Sequence, residues 1–470
     1  MISKPSILDD YLELVTYGFT NPMPDAEEGP WKITAKDVIN GQINFSTARK
    51  TTQDAFDTKL TKKSRPKVGD VLLTKDGTLG RLAIVRQEGI CINQSVAVLR
   101  ANEKILPEYL FYLLSTPEYQ RKMIGDSDGT VIKHIYITRV GKMEVNIPPI
   151  EEQKEILKHL VTIDKKINLN DGINKTLEQI AQAIFKSWFV AFEPVKAKIS
   201  AREALLTDIP TATAEQIRDA EQQAAIKAIS GAGNVVPTEQ LQTLADLFPN
   251  QLVESELGEI PEGWEVVDIK SISNKISKGT TPRKKDMQEA EDPASIKFLK
   301  VRDIADNGDI NASSLDLIPN SVHTGAIKRS ILVINDVIFS IAGTIGRVSV
   351  IGEELANANC NQAVAFIRLT EPEQYKDFLY LLLKTSEVQD LVESKVVQGV
   401  QANFSLTELG NIQFAKCDCE LLEHFNKVVG NLFSEKQTLS RNTATLVNLR
   451  DTLLPKLLSG EIELLNKEVV

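Results

Sequence analysis

Two groups of cations, with hydrogen-bonding side chains repeated beside them, are the residues whose types and spacing suggest chemistry. Arg49-Lys50 is followed by Lys59, Lys62-Lys63, Arg65 and Lys67; much later come Lys278 and Arg283-Lys284-Lys285. Lysine and arginine grouped this way neutralise phosphates, which positions a protein on a duplex without reading its sequence. Reading bases takes Arg, Asn, Gln, Ser or Thr side chains at the groove edges. The DNA-contact candidates in the first half are therefore Arg49, Lys50, Lys62, Lys63, Arg65, Thr78 and Arg81. In the second half they are Lys278, Thr280, Thr281, Arg283, Lys284, Lys285, Thr344 and Arg347. Plainer readings stand beside these. A single basic cluster suits a solvated face, and the arginine of a Gly-Thr-x-Gly-Arg turn serves equally as a cap on a neighbour or as a phosphate contact. Asn93-Gln94 and Asn361-Gln362 read as internal hydrogen-bonding residues. Trp188 reads as core, and Phe189 as core or as an anchor for a partner.

Catalytic patterns are missing. There is no Gly-x-x-x-x-Gly-Lys-Ser/Thr phosphate loop, no Asn-Pro-Pro-Tyr/Phe run for adenine methylation and no glycine-rich turn typical of an S-adenosylmethionine site. His134, His159, His323 and His424 form no pair at metal spacing, and Cys417-x-Cys419 has no second Cys/His pair near it. Pro24-Asp25 with Asp57-Thr58-Lys59 resembles a nuclease PD…DxK pattern, but such short patterns arise by chance and the second half does not repeat it. The expectation is a chain with no catalytic residue, no metal and no cofactor of its own.

The 470 residues exceed one core and suit two or three domains. The four cysteines make no disulfide framework and fit a reducing cytoplasm. No apolar run approaches the roughly 20 residues of a membrane span, and Met1-Ile2-Ser3-Lys4-Pro5 reads as lacking a secretory leader. The net charge of −10 argues against DNA binding until its distribution is considered. Residues 193–262 hold 12 Asp/Glu against 5 Lys/Arg, so about 400 other residues carry only −3.

The chain repeats itself, which is the informative observation. Gly77-Thr78-Leu79-Gly80-Arg81 returns as Gly343-Thr344-Ile345-Gly346-Arg347, displaced by 266 residues (343 minus 77). Cys91-Ile92-Asn93-Gln94 returns around Cys360-Asn361-Gln362, Tyr109-Leu110-Phe111-Tyr112-Leu113-Leu114 meets Asp377-Phe378-Leu379-Tyr380-Leu381-Leu382, and Lys36-Asp37-Val38 meets Arg302-Asp303-Ile304. Four blocks in one order at nearly constant offset mark an internal duplication. Each copy reads as mixed α/β. Apolar β-type runs flank the glycine turn, whose glycines suit positive φ, and a short helix runs from Tyr109 to about Ile124.

A long helix follows each copy. Ile156, Leu160, Ile163, Ile167, Asn170, Asn174, Leu177, Ala181 and Ile184 alternate by four and three, a coiled-coil seam with two asparagines. Phe425, Val428, Leu432, Glu435, Leu439, Asn442, Leu446, Leu449 and Leu453 form the second. An antiparallel pair buries both stripes. The fold class is thus mixed α/β: two duplicated globular α/β units alternating with two long helices in an antiparallel coiled coil. A helix of about 30 residues spans roughly 45 Å, more than a DNA turn of about 34 Å, so two readers on such helices act as a ruler. The expected domains are 1–148 and 256–416 for the units, 149–193 and 417–470 for the helical spacers, and 194–255 for a linker or accessory segment broken at Ser230-Gly231-Ala232-Gly233-Asn234.

With repeat and helices established, the chain resembles the specificity subunits (HsdS) of Type I restriction–modification enzymes. Leu257-Gly258-Glu259-Ile260-Pro261-Glu262-Gly263-Trp264 looks like that family's opening of the second recognition domain. Ile276-Ser277-Lys278-Gly279-Thr280-Thr281-Pro282-Arg283 is similar to its GGTPSR stretch, and the two glycine turns to its GTIGR turn. Pro148-Pro149-Ile150-Glu151-Glu152-Gln153 resembles the start of its central helix, and Leu453-Leu454-Pro455-Lys456-Leu457-Leu458-Ser459-Gly460-Glu461-Ile462 the close of its terminal one. The first unit departs from the pattern: Tyr17-Gly18-Phe19-Thr20-Asn21-Pro22 stands where TPSR is expected, and no Gly-Trp opening occurs. The resemblance implies a non-catalytic subunit of a bacterial or archaeal cytoplasmic phage-defence complex. It would read a bipartite double-stranded DNA target, dock two modification subunits that use S-adenosylmethionine to methylate adenine N6, and recruit restriction/translocase subunits. The competing reading is a tandem protein-binding module on a coiled-coil scaffold.

Overall fold

The computed structural model describes residues 6–18, 23–125, 134–231, 233, 236–312, 314–397 and 403–462. Phe19-Thr20-Asn21-Pro22, and Ala232 and Asn234 of the helix-breaking run, lie outside the described residues. Two compact units are formed, one by Met1–Asn170 with Arg441–Val470, the other by Asp171–Ser440.

In the first unit, the pleat of Val71-Leu72-Leu73 decides the layering, because successive strand residues face opposite ways and all three are buried. Their strand, Val71–Thr74, lies inside a four-stranded antiparallel sheet ordered Leu12–Tyr17, Val96–Ala101, Val71–Thr74, Leu82–Ile84. Val71, Leu73, Ala97 and Leu99 pack on Tyr109, Leu110 and Leu113 of helix Pro107–Ser115. Leu72, Ala83 and Val98 pack on Ile33, Ile90 and Ile92. Those residues come from a second sheet, Arg49–Thr51, Asp25–Ile33, Ile90–Ile92, with one parallel pair. The helix expected from Tyr109 to about Ile124 is two helices, Pro107–Ser115 and Pro117–Gly125. Pro117 has no N–H to continue the first, and Thr116 before it is extended at ψ 148°.

The second unit repeats this plan down to register. Its four-stranded sheet is Ser273–Lys278, Val364–Leu369, Val337–Ser340, Val348–Val350, and Ser340 pairs with Val364 as Thr74 pairs with Val96. The companion sheet is Asp316–Pro319, Ala294–Leu299, Asn359–Cys360, again with one parallel pair. Helix Pro372–Leu383 takes the place of Pro107–Ser115. The segment expected as a linker or accessory part folds into helices Glu193–Asp208, Ala214–Gly231 and Thr238–Leu247. Val195, Ala225, Ile229, Leu244 and Phe248 join the core that holds Trp188, Phe378 and Phe425, so the segment is a packed brace.

The central helix runs Ile150–Phe185 and the terminal helix Cys419–Leu458. Within the first unit they pair antiparallel: Arg450 donates to Asp164 at 3.0 Å and Asn170 to Thr443 at 3.3 Å. Within the second, Asn174 donates to Ser440 at 3.1 Å and Lys436 to Glu178 at 2.7 Å. The expected stripe of the central helix is the inward one, with Ile156, Leu160, Ile167, Asn170, Asn174, Leu177, Ala181 and Ile184 all buried. The expected terminal stripe holds at its start and in part beyond it, where Leu439 and Leu453 pack half-buried against the cores. Phe425, Val428 and Leu432 are buried, but Glu435 and Asn442 are exposed and Leu449 is 45% exposed. Other facing residues stand one position later: Lys436, Ser440, Thr443 and Arg450, then buried Leu454 and Leu457. Their partners are polar, so apolar periodicity does not reveal them.

This register predicts that Lys436→Met lowers stability by about 1–3 kcal/mol, the cost of a buried charge losing one of its donors. Glu435→Ala stays within about 0.5 kcal/mol. Urea unfolding of the full chain, followed by tryptophan fluorescence, measures both.

Candidate nucleic-acid interface

Strand register gathers three loops at one end of each four-stranded sheet. In the second unit Lys278 pairs with Ala365 and Ser340 with Val364. Gly279-Thr280-Thr281, the 343–347 turn and Asn361-Gln362 therefore leave the sheet side by side. In the first unit Tyr17 pairs with Ala97 and Thr74 with Val96, which gathers Tyr17-Gly18, the 77–81 turn and Asn93-Gln94.

The second-unit loops are knit together. A Cβ on Gly279 would stand 2.1 Å from the Cys360 carbonyl oxygen, and one on Gly18 would stand 2.4 Å from that of Ile92. Glycine alone lets the strand end cross the Asn-Gln turn so closely, and Gly18 occupies the same structural place as Gly279. The Thr280 amide donates to Cys360 at 2.9 Å, and its hydroxyl accepts from Arg329 at 2.8 Å. The Thr281 hydroxyl donates to the Gln362 side chain. Lys278, Thr281, Gln362, Arg283, Lys284 and Lys285 are exposed. Lys285 pairs with Glu289 at 3.6 Å; an exposed pair worth at most about 1 kcal/mol yields readily to a phosphate.

In the first unit the cations are spread over other elements. Arg49 and Lys50 lie on the edge strand Arg49–Thr51. Arg49 is opposite Lys32, and Lys32 opposite Cys91, two residues before Asn93. Arg49 pairs with Asp25 at 2.8 Å, and Lys50 sits 4.9 Å from the Trp31 ring centre. Hydrogen bonds from Lys32 and Arg49 hold the Asp25 carboxyl below the usual carboxylate range. Lys62 and Lys63 are exposed on the turn Lys62–Ser64, and Arg65 lies over Phe56 at 5.6 Å. At the sheet end itself, Lys75 stands 4.8 Å from the Tyr17 ring centre.

The glycine turns have one construction. Gly77 and Gly80 have φ of 78°, Gly343 and Gly346 of 77° and 93°, a region that other residues enter at a cost. Thr74 donates its hydroxyl to the Thr78 carbonyl and accepts from the Arg81 amide at 2.9 Å. Ser340 does the same with Thr344 and Arg347 at 2.7 Å each. Thr78 and Thr344 are exposed. Of the two readings of the arginines, the geometry supplies the cap for Arg347, while Arg81 makes one such bond and is exposed. Arg81 donates to the Val38 carbonyl at 3.2 Å. Arg347, 21% exposed, donates to the carbonyls of Ile304 at 2.6 Å and Val301 at 3.3 Å, and to Asp306 at 2.7 Å. Asn93 and Asn361 also turn inward, accepting from the Ser95 amide at 3.1 Å and the Ala363 amide at 3.2 Å.

Several supporting residues escaped the sequence reading. Gln120 donates to the Gly80 and Leu114 carbonyls at 3.0 and 2.8 Å, and Gln389 to those of Gly346 and Leu383 at 3.1 and 2.6 Å. Buried Asp70 takes Arg100 through two bonds of 2.8 Å, and buried Asp336 takes Arg368 at 2.9 and 2.8 Å. All recur at the repeat offset, which was the signal available for them. Arg329 stands 266 residues after Lys63 (329 minus 63), on the matching turns Lys328–Ser330 and Lys62–Ser64, so the same signal was available for it.

Among the described residues, no group of three or more His, Cys, Asp or Glu is placed to hold a metal ion, and no helix is long and apolar enough to cross a membrane. Asp25 of the nuclease-like pattern is engaged by Lys32 and Arg49, and Lys59 by Asp54 at 3.3 Å. The family model for the Type I restriction modification DNA specificity domain matches residues 23–179 and again 261–415. The Type I restriction enzyme HindI specificity subunit of Haemophilus influenzae is 31% identical over 420 residues, covering 84% of this chain and 87% of that one. The MjaIX specificity subunit of Methanocaldococcus jannaschii is 24% identical over 438 residues, covering 92% and 86%. A crystal structure of a Type I system S subunit from M. genitalium aligns over 96% of this chain and 95% of that one, with 15% identity and a TM-score of 0.45. The two matched stretches fall on the two copies of the α/β unit, and the chain belongs to the Type I restriction–modification DNA specificity family.

Proposed function

We propose that this chain is the non-catalytic reading subunit of a Type I complex, each α/β unit recognising one half of a split double-stranded target. The carrying observation is the duplicated sheet end, where a threonine-bearing glycine turn and an Asn-Gln turn converge in both copies, with the cations of 278–285 beside them in the second. Phosphates would be met by Arg49, Lys50, Lys62, Lys63 and Arg65 in the first unit and by Lys278, Arg283, Lys284 and Lys285 in the second. Thr78, Thr280, Thr281 and Thr344 are placed to approach base edges. Arg347 acts behind them as a brace of its turn, and exposed Arg81 braces its own turn and would also meet a phosphate. The helices set the unread spacer and dock two modification subunits, which bind S-adenosylmethionine and methylate adenine N6. Restriction/translocase subunits join to cut. The setting is the bacterial or archaeal cytoplasm, in keeping with relatives from both kinds of organism.

Co-expression with the cognate modification subunit, followed by single-base mapping of N6-methyladenine, tests this reading. A split target with one fixed spacer is expected. A soluble complex that methylates nothing and binds no duplex would contradict it and favour a protein-binding scaffold.

Contacts with phosphate are separable from structural arginines by salt. For the complex on its target duplex, Lys278→Ala with Arg283→Ala should reduce the slope of log affinity against log salt by about 2, roughly one per lost contact. Arg347→Ala should leave that slope unchanged and lower the melting temperature instead. Fluorescence anisotropy across a salt series and a thermal melt give the two readings.

A further inference from the structure

We propose that two matching struts, Tyr112–Asp164–Arg450 and Tyr380–Glu178–Lys436, are positioning residues that fix each recognition unit on its stretch of the helix pair and so restrict the spacer length accepted. The inference rests on the split-target reading above. In the first unit, Tyr112 on helix Pro107–Ser115 donates to Asp164 of the central helix, and Arg450 of the terminal helix binds the other carboxylate oxygen at 3.0 Å. In the second, Tyr380 donates to Glu178 at 2.9 Å, and Lys436 binds the other oxygen at 2.7 Å, with Lys384 completing the pair. Both tyrosines hold the same place in the duplicated helix. Both acids come from the central helix and both outer cations from the terminal one. The acids stand two heptads apart, as do the cations.

A second leg accompanies each strut. Arg81 holds the carbonyl of Val38, Asn40-Gly41 turns the chain, and Gln42 then donates to Asn168 of the central helix at 2.8 Å. Arg347 holds the carbonyl of Ile304, Asn307-Gly308 turns the chain, and Lys436 of the terminal helix reaches the Asn307 carbonyl at 3.3 Å. Gly41 and Gly308 have φ of +76° and +83°; a Cβ there would stand 2.9 Å from the Phe111 ring and 3.1 Å from the Tyr380 hydroxyl. The turns thus lie directly on the recognition helices. The Gly-Thr-x-Gly-Arg turn is one end of a connection that finishes on the long helices.

Polar contacts suit this task because their geometry is narrow. Apolar packing tolerates small slides, whereas a buried tyrosine–carboxylate–cation set is satisfied in one register. Adjacent base pairs lie about 3.4 Å apart, so a shift of a few ångströms is a whole base pair of spacer.

The test uses the full chain assembled with its modification subunits. Duplexes carrying the mapped half-sites with a spacer one base pair shorter, cognate, or one longer are methylated by wild type, Tyr112→Phe, Tyr380→Phe and the double variant. Phenylalanine keeps the ring and removes only the hydroxyl. Expected is a tenfold or larger rise, in the double variant, of the off-length rate relative to the cognate rate. A uniform fall at all three lengths, or an unchanged profile, would overturn the positioning role. Wild type that methylates no split duplex would instead sink the split-target reading. The strut is then decided by pulsed electron paramagnetic resonance between spin labels at Leu317→Cys and Glu435→Cys, both exposed in the second unit, with Cys419→Ser. Tyr380→Phe should at least double the width of that distance distribution, and an unchanged width overturns the proposal.

Discussion

A carboxylate taken out of water needs cations and hydrogen-bond donors around it, and breaking such a set costs more than the set itself contributes. Glu178 is the case on which the second unit turns. Burial pushes its carboxyl up, but Lys436 and Lys384 outweigh burial and hold it below the ordinary range. One donor comes from the terminal helix, another with Tyr380 from helix Pro372–Leu383 and its C-cap Lys384, so satisfying this single group fixes three elements at once. Burial, with Glu178 alongside, drives the Tyr380 hydroxyl well above its usual range, which keeps it a donor. Asp164 does the same work in the first unit with Tyr112 and Arg450. The asparagines add to this constraint. Asn170 and Asn174 are buried, each donates to a hydroxyl of the terminal helix, and neither side-chain oxygen has a protein partner. A seam built this way gives up stability and fixes register in return.

From that constraint the duplicated architecture follows. The inner strands of each sheet are buried on both faces, by helix Pro107–Ser115 or Pro372–Leu383 on one and a second sheet on the other, while the edge strands Leu12–Tyr17 and Ser273–Lys278 keep exposed residues. The loops at the sheet end offer side chains free of the core, and register brings the same three loops to the same end in both copies. The loops diverge in content while their supports stay alike. Lys278-Gly279-Thr280-Thr281 faces Tyr17-Gly18 across the repeat, whereas Gln120 and Gln389, or Asp70–Arg100 and Asp336–Arg368, make the same bonds. Divergent tips on like supports are what the proposed reading of two different half-sites would use.

Much of this was legible in the sequence because duplication is legible. The offset of Gly77 and Gly343 predicted two copies of one fold, and their positive φ explains why glycine recurs there. The central helix seam was legible because most of its inward residues are apolar or the two asparagines, whereas the inward carboxylates Asp164 and Glu178 look like surface residues and were missed. The terminal seam was read in part beyond Leu432: Leu439 and Leu453 do pack on the cores, but Glu435, Asn442 and Leu449 face outward while Lys436, Thr443 and Arg450, which look like surface residues, face the central helix. A helix-breaking proline was present at Pro117 and went unused. The turn arginines could not be resolved from sequence, because a guanidinium capping Ile304 and one gripping phosphate have the same spelling. The segment 194–255 gave no sign of packing, since its buried Val195, Ala225 and Leu244 are scattered among polar residues.

The central claim is that each α/β unit reads its own half of the target. Exchange of residues 261–415 for the matching stretch of a family member with a different target tests it most directly, read by genome-wide N6-methyladenine mapping of the hybrid complex. The account predicts that one half of the target changes to that of the donor, while the other half stays as it was. A hybrid that assembles but changes both halves, or neither, would contradict it.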